Sequence, residues 1–286
     1  MSTSVVCGLI AAMSWGIADW LARGIGIALG TFRAQLWSQL VGLALLTVVV
    51  VGSGAGVDAV ATGTPRAWAF SLLYAALIGT ASLLFFEAFG KGAVAVVAPI
   101  VGSYGAVTVA WSVAFGISPS PRVFVGLVVV LAGVIAASVP ARGSSTPGQQ
   151  RGTLAALAAA FLFGTAFFIL GKEIVPTLGS VVPALLSRLV GPVLLGSGAL
   201  ALGVSVALPP RGLWPALVAA AMLSSLATVV TGVGASGGDS SVVAVLGSLS
   251  VVVTVVIATV VLREKLALHQ RVGVVVAVLG LPLLAV

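Results

Sequence analysis

Residues 36–46 read LWSQLVGLALL and residues 185–195 read LLSRLVGPVLL, with seven of the eleven positions identical. Working outward from this pair, Pro121–Gly133 lines up with Leu268–Gly280, setting Gly126 on Gly273 and Gly133 on Gly280. Ser14–Gly16 has a looser counterpart at Leu162–Gly164. These shifts stay between 147 and 149 residues. Chance does not hold such a register along a chain, so the sequence reads as two copies of one unit.

The solvent of each copy follows from its composition. The chain has 286 residues, 60% hydrophobic and 7% charged, with mean hydropathy +1.28. Soluble domains carry roughly 25% charged residues; 13 Lys/Arg and 6 Asp/Glu are too few to cover a globule of this size. Lipid must therefore face most of the surface. A helix needs about 20 apolar residues to cross the hydrocarbon. That window predicts spans near 4–22, 33–51, 67–88, 92–114, 122–139, 152–171, 180–204, 213–235, 241–262 and 271–286. Runs such as Val125–Leu131 and Val272–Val278 do not alternate, which disfavours a barrel. The start lacks the basic residues of a secretory signal, so Val5–Leu21 reads as the first helix.

Pro140–Gly152 (PARGSSTPGQQRG) is the one long polar stretch and divides the spans five and five. The expected organisation is residues 1–139 as the first repeat, 140–151 as linker and 152–286 as the second. Five is odd, so the second copy must sit upside down relative to the first. The fold class is an all-α integral membrane protein of ten transmembrane helices in two inverted five-helix repeats. Many secondary transporters with this architecture hold substrate between the halves.

The net charge of +7 does not indicate nucleic acid, because no basic patch with interleaved aromatics exists. Basic residues between apolar segments suit an anionic leaflet instead. A single cysteine, Cys7, rules out an intrachain disulfide and any Cys-based metal cluster. The one histidine, His269, stands without a His or Cys partner. Neither a metal site nor a cofactor is expected, and an enzyme finds no base, nucleophile or metal set.

Ionisable groups at bilayer depth need an account, since each costs at least about 2.5–3.5 kcal/mol at a helix centre. Asp19 precedes Arg23 by four residues, and Glu87 precedes Lys91 by four. Two readings stand for each: a self-neutralising pair near the interface, or a proton-accepting carboxylate that couples transport. Arg188 lies about eight residues into its span, roughly 12 Å deep, with no acid within four residues. Its partner comes from another helix (a remote acid such as Glu87 or Asp19), from backbone carbonyls or from a substrate anion, or the side chain snorkels to the surface. Its repeat-matched residue is Gln39. Trp15 shares a helix face with Asp19, and Tyr104, Thr108, Trp111 and Ser112 form a polar-aromatic stripe suited to line a cavity. Pro99 and Gly102 are placed to kink that helix. Ser250 and Thr254 form a weaker stripe that reads as packing. The glycine pairs Gly126/Gly133 and Gly273/Gly280 read as close packing of the fifth and tenth helices.

Five-plus-five spans, the Ser14-Trp15-Gly16 opening, and Leu262-Arg263-Glu264-Lys265-Leu266 followed by Gly273 and Gly280 resemble the EamA type of the drug/metabolite transporter superfamily. The first half lacks the expected Glu at Phe115–Pro121, and Arg263 stands where that family often has Gly. The resemblance implies a self-sufficient monomer in a bacterial plasma membrane that exports small metabolites, including amino acids and amphipathic drugs. The reading is a secondary transporter of small neutral or zwitterionic molecules, with protons as candidate coupling ion and the bilayer as partner. A channel or facilitator without coupling is the alternative. Orientation is left open by two opposed signals. Nine Lys/Arg in loops on the side away from both termini against three on the side of the termini place the termini outside, whereas the resemblance places them in the cytoplasm.

Overall fold

The computed structural model describes residues 3–54, 63–116, 120–139, 146–179, 181–236, 250–261, 263 and 266–284. Every regular element among them is a helix, as lipid requires of backbone that must satisfy itself. In chain order they are α1 (Thr3–Leu29), α2 (Thr31–Ser53), α3 (Pro65–Lys91), α4 (Val94–Gly102), α5 (Tyr104–Ala114), α6 (Pro121–Ser138), α7 (Pro147–Ile169), α8 (Val181–Ala201), α9 (Trp214–Ser236), α10 (Ser250–Val260) and α11 (Leu268–Leu284). Helix α7 runs on through a wider π-type turn, Leu170–Ile174, into Val175–Leu178.

Among the described residues, seven stretches are long and apolar enough to cross a membrane: Val5–Leu29, Thr31–Ser53, Pro65–Lys91, Val94–Ala114, Pro147–Leu178, Val181–Ala201 and Arg211–Thr231. Shorter apolar helices occupy Phe124–Ala137 and Leu268–Gly280. The first part of the expected ninth span, residues 241–249, lies outside the described residues. So do residues 140–145 of the expected linker, and Gly237, Gly238, Asp239, Gly247, Leu262, Glu264 and Lys265.

Local chemistry sets the helix ends. Thr64 accepts from the Ala67 amide at 3.2 Å, with Pro65 in the first turn. Thr146 and Gln149 form a reciprocal capping box ahead of α7, with Pro147 in its first turn. Helix α7 therefore begins at Pro147. The expected linker's Pro, Gln and Gly residues from 147 onward, which read as coil, begin that helix. Helix α2 lies between Gly30 and Gly54, and α8 between Gly179 and Gly203; all four adopt positive φ, where a side chain would be strained. Each glycine of the second pair lies 149 residues after its counterpart. Between α4 and α5 the helix breaks at Ser103, four residues beyond Pro99, and the Ser103 hydroxyl donates to the Ile100 carbonyl at 2.6 Å.

Large apolar side chains face outward, Val51 and Leu200 each 77% exposed, while the interior is rich in alanine. This inversion of the soluble pattern is what lipid allows, since small residues let backbones approach. Helix α1 packs on α9, as α7 packs on α3; α2 packs on α8, α6 on α11 and α4 on α10. At the α6–α11 crossing, a Cβ on Gly133 would fall 2.3 Å from the Ala277 nitrogen, and one on Gly273 would fall 2.4 Å from the Ala137 nitrogen. One on Gly280 would meet Val130 at 2.7 Å. Rising numbers on one helix meet falling numbers on the other, so the two run antiparallel. Gly133, Gly273 and Gly280 pack closely, as the sequence reading expected.

Candidate functional site

Three polar clusters sit inside this apolar body. The first joins α1, α5, α7 and α10. Thr108 shares its hydroxyl between the Tyr104 carbonyl of its own helix, at 3.1 Å, and the Gly164 carbonyl on α7, at 3.0 Å. Thr254 does the same on α10, reaching the Ser250 carbonyl at 3.0 Å and the Gly16 carbonyl on α1 at 3.3 Å. Gly16 and Gly164 make both approaches possible: a Cβ on either would fall 2.5 Å from a valine Cβ, Val253 or Val107. Asp19, one turn beyond Trp15 on α1, lies against the Thr254 hydroxyl and within electrostatic reach of Tyr104. The Tyr104 ring in turn packs on Phe167 (5.0 Å between centroids) and Phe163 (6.4 Å). Tyr104 therefore stands between an acid from one half and two rings from the other.

The second cluster surrounds Arg188 on α8. Its Nη1 donates to Gln39 Oε1 at 3.0 Å and its Nη2 to Ser224 Oγ at 3.3 Å. Tyr74 on α3 is its electrostatic neighbour. The contact with α2 is reciprocal. A Cβ on Gly42 would fall 2.6 Å from Arg188 Nη1, and one on Gly191 would fall 3.0 Å from Gln39 Nε2. Each helix seats the other's long polar side chain over a glycine three residues on, and the two helices run antiparallel. The remote acid expected as partner for Arg188 is replaced by neutral dipoles: neither Asp19 nor Glu87 reaches it.

The third cluster lies where α5 ends beside α7. Trp111 donates from Nε1 to Thr165 Oγ1 at 2.9 Å and stacks on Phe168. Lys172, on the π-type turn, sits 4.0 Å from the centre of the Phe115 ring and 5.5 Å from that of Phe168. The next residue, Glu173, turns the other way and receives two hydrogen bonds from Arg66, at 3.0 and 3.1 Å. Ser112 donates within its own helix to the Thr108 carbonyl. The stripe expected to line a cavity thus directs Thr108 and Trp111 onto α7, where carbonyl and hydroxyl acceptors are nearest.

Glu87 occupies a helix end. It pairs with Lys91 on its own helix and receives the Thr31 hydroxyl at 2.7 Å in the first turn of α2, where a carboxylate also complements the helix dipole. A cavity of about 320 Å³ opens between α1 and α9, lined by Leu9, Ile10, Met13, Ser14, Ile17 and Leu223. It touches none of the expected site residues. Sequence reasoning missed Tyr74, Ser224, Phe163 and Phe167 as neighbours of the polar groups. A signal existed for the phenylalanines: Phe163 and Phe167 lie 148 residues after Trp15 and Asp19, at the same four-residue spacing.

A helical body with apolar side chains outside and its polar groups held between helices defines a multi-pass membrane protein. Residues 150–286 match the model of the EamA-like transporter family, which bears out the resemblance to the drug/metabolite transporter superfamily. The matched model describes a family of transporters. Among solved structures, one described as "Crystal structure of protein" superposes with a TM-score of 0.67 at 18% identity, covering 99% of this chain and 96% of that chain. At that identity the likeness shows the fold alone. No curated protein matches the chain.

Proposed function

We propose that the chain is a secondary transporter, an exporter of the plasma membrane. Acting as a monomer, it carries small neutral or zwitterionic metabolites such as amino acids, or amphipathic drugs. Ten spans form two inverted five-helix repeats, and alternating access comes from rocking one set of helices against the other. The observation that carries this reading is the reciprocal, antiparallel contact between repeat-matched helices. Gln39 and Arg188 touch each other across Gly42 and Gly191, as expected where a two-fold relation makes a contact self-complementary. The α6–α11 crossing supports the same relation through Gly133 with Ala277 and Gly280 with Val130.

Substrate meets the central groups: Trp15, Asp19, Tyr104 and Arg188, with Thr108, Trp111 and Ser112 shaping the α5 wall. Asp19 is the coupling carboxylate in this proposal, because it is held among helices at depth. Glu87, tied to Thr31 and Lys91, holds the α2–α3 junction. The test is uptake into proteoliposomes over a panel of amino acids and amphipathic cations, with and without a pH gradient. Saturable flux with counterflow supports a carrier. Flux without saturation favours the channel reading, and no flux for any compound contradicts transport of this class.

A further inference from the structure

We infer that Arg188 is a recognition site for the carboxylate of a small monoanionic or zwitterionic substrate, with Gln39 holding the guanidinium until that carboxylate arrives. The inference rests on the transport reading and narrows it. Across the matched stretch the sequence keeps Ser38/Ser187, Leu40/Leu189, Val41/Val190 and Gly42/Gly191 identical, and the charge changes only at Gln39/Arg188. Packing alone would be served by two neutral amides, so the cation is an addition to a contact that does not need it.

Among the described residues, that cation has no counter-charge. A guanidinium offers five N–H donors, and its partners are one amide oxygen and one hydroxyl. The described acids are all engaged elsewhere: Asp19 with Thr254, Glu87 with Lys91 and Thr31, and Glu173 with Arg66. Ser38 lies one turn before Gly42 on α2, and its buried hydroxyl has no hydrogen-bond partner. A carboxylate would accept from the free guanidinium donors and from Ser38 while neutralising the charge, the pairing geometry that favours Arg. One cation among neutral groups fits a single negative charge, not a phosphate dianion.

The test compares neutral L-amino acids with their primary carboxamides, which lack the charge and keep the side chain. Two readouts are taken: proteoliposome counterflow, and the ligand-induced melting shift of the purified protein in detergent. Wild type should favour the carboxylates by about tenfold or more in both, the scale of a charge-assisted hydrogen bond. Arg188→Gln should lose that preference, the loss falling more heavily on the carboxylates than on the amides, and Arg188→Lys should restore part of it. Gly42→Ala, which crowds the guanidinium, should weaken carboxylate binding selectively. Equal handling of acids and amides by wild type overturns the inference while leaving transport standing. So does an equal loss of both in Arg188→Gln or, should that variant not fold, in Arg188→Lys. A carboxylate-specific melting shift without flux keeps the site and sinks the transport reading. Neither shift nor flux sinks both.

Discussion

The α10–α1 and α5–α7 crossings are built alike and equipped differently. At each, a threonine hydroxyl bridges its own helix to a glycine carbonyl on the neighbour, Thr254 to Gly16 and Thr108 to Gly164. One turn beyond Gly16 the first half places Asp19; one turn beyond Gly164 the second half places Phe167. The α2–α8 contact repeats the lesson, with Arg188 set against Gln39 over matched glycines. On the proposed repeat, duplication fixed the backbone approach, which tolerates only small residues. The copies then diverged at side chains that approach does not constrain. In this account the chemistry of transport sits where the copies disagree.

The largest effect should come from the shared scaffold. Gly133→Leu and Gly273→Leu each drive a side chain into the opposing backbone, and should cost about 3 kcal/mol or more. Loss of monodisperse protein in detergent would show it. Gly90→Ala, which meets open space, should leave the melting temperature almost unchanged. Equal tolerance at the three sites would break the claim that packing is what the copies share.

Next come the positions of disagreement. Asp19→Asn should lower gradient-driven flux by about tenfold or more, as loss of a buried ionisable group at a functional site does, with folding retained. Phe167→Leu, at the matched position, should leave coupling intact and shift substrate preference. If both variants keep gradient-driven flux, Asp19 does not couple.

Smaller and symmetric effects are expected for Thr108→Val and Thr254→Val. Each removes an interhelical hydrogen bond of about 0.6 kcal/mol, at most about 1.7, so their melting shifts should match. Only the Thr254 change should alter flux, through Asp19. The smallest effect belongs to Glu87→Gln: a partly exposed ion pair is worth about 0–1 kcal/mol, so stability and flux should both stay near wild type.

Much of this fold was legible because hydropathy reports span length, and because glycines seven apart can serve only close packing. The start of α7 was hard to place because Pro147 and Gln149 belong equally to coil and to a helix start; Thr146 decides between them. The α5 stripe was legible as polar but not in its direction. A hydroxyl in apolar surroundings takes the nearest carbonyl, and which helix supplies it is a tertiary fact. Arg188 was conspicuous as a charge at depth, yet its partners come from α2 and α9, which no local spacing reveals. Thr254 read as packing, and it is packing; its second role beside Asp19 appears only when α1 and α10 meet.

The proposed inversion of the halves can be tested directly at the two ends of α2 and α8. With Cys7 replaced by serine, Ser53→Cys and Leu202→Cys each place one exposed thiol at the C-terminal end of a matched helix, 149 residues apart. Labelling with a membrane-impermeant maleimide in intact cells and in inverted vesicles reports the side of each. The account requires that one thiol reacts only from outside and the other only from inside. Reaction of both from the same side would contradict it.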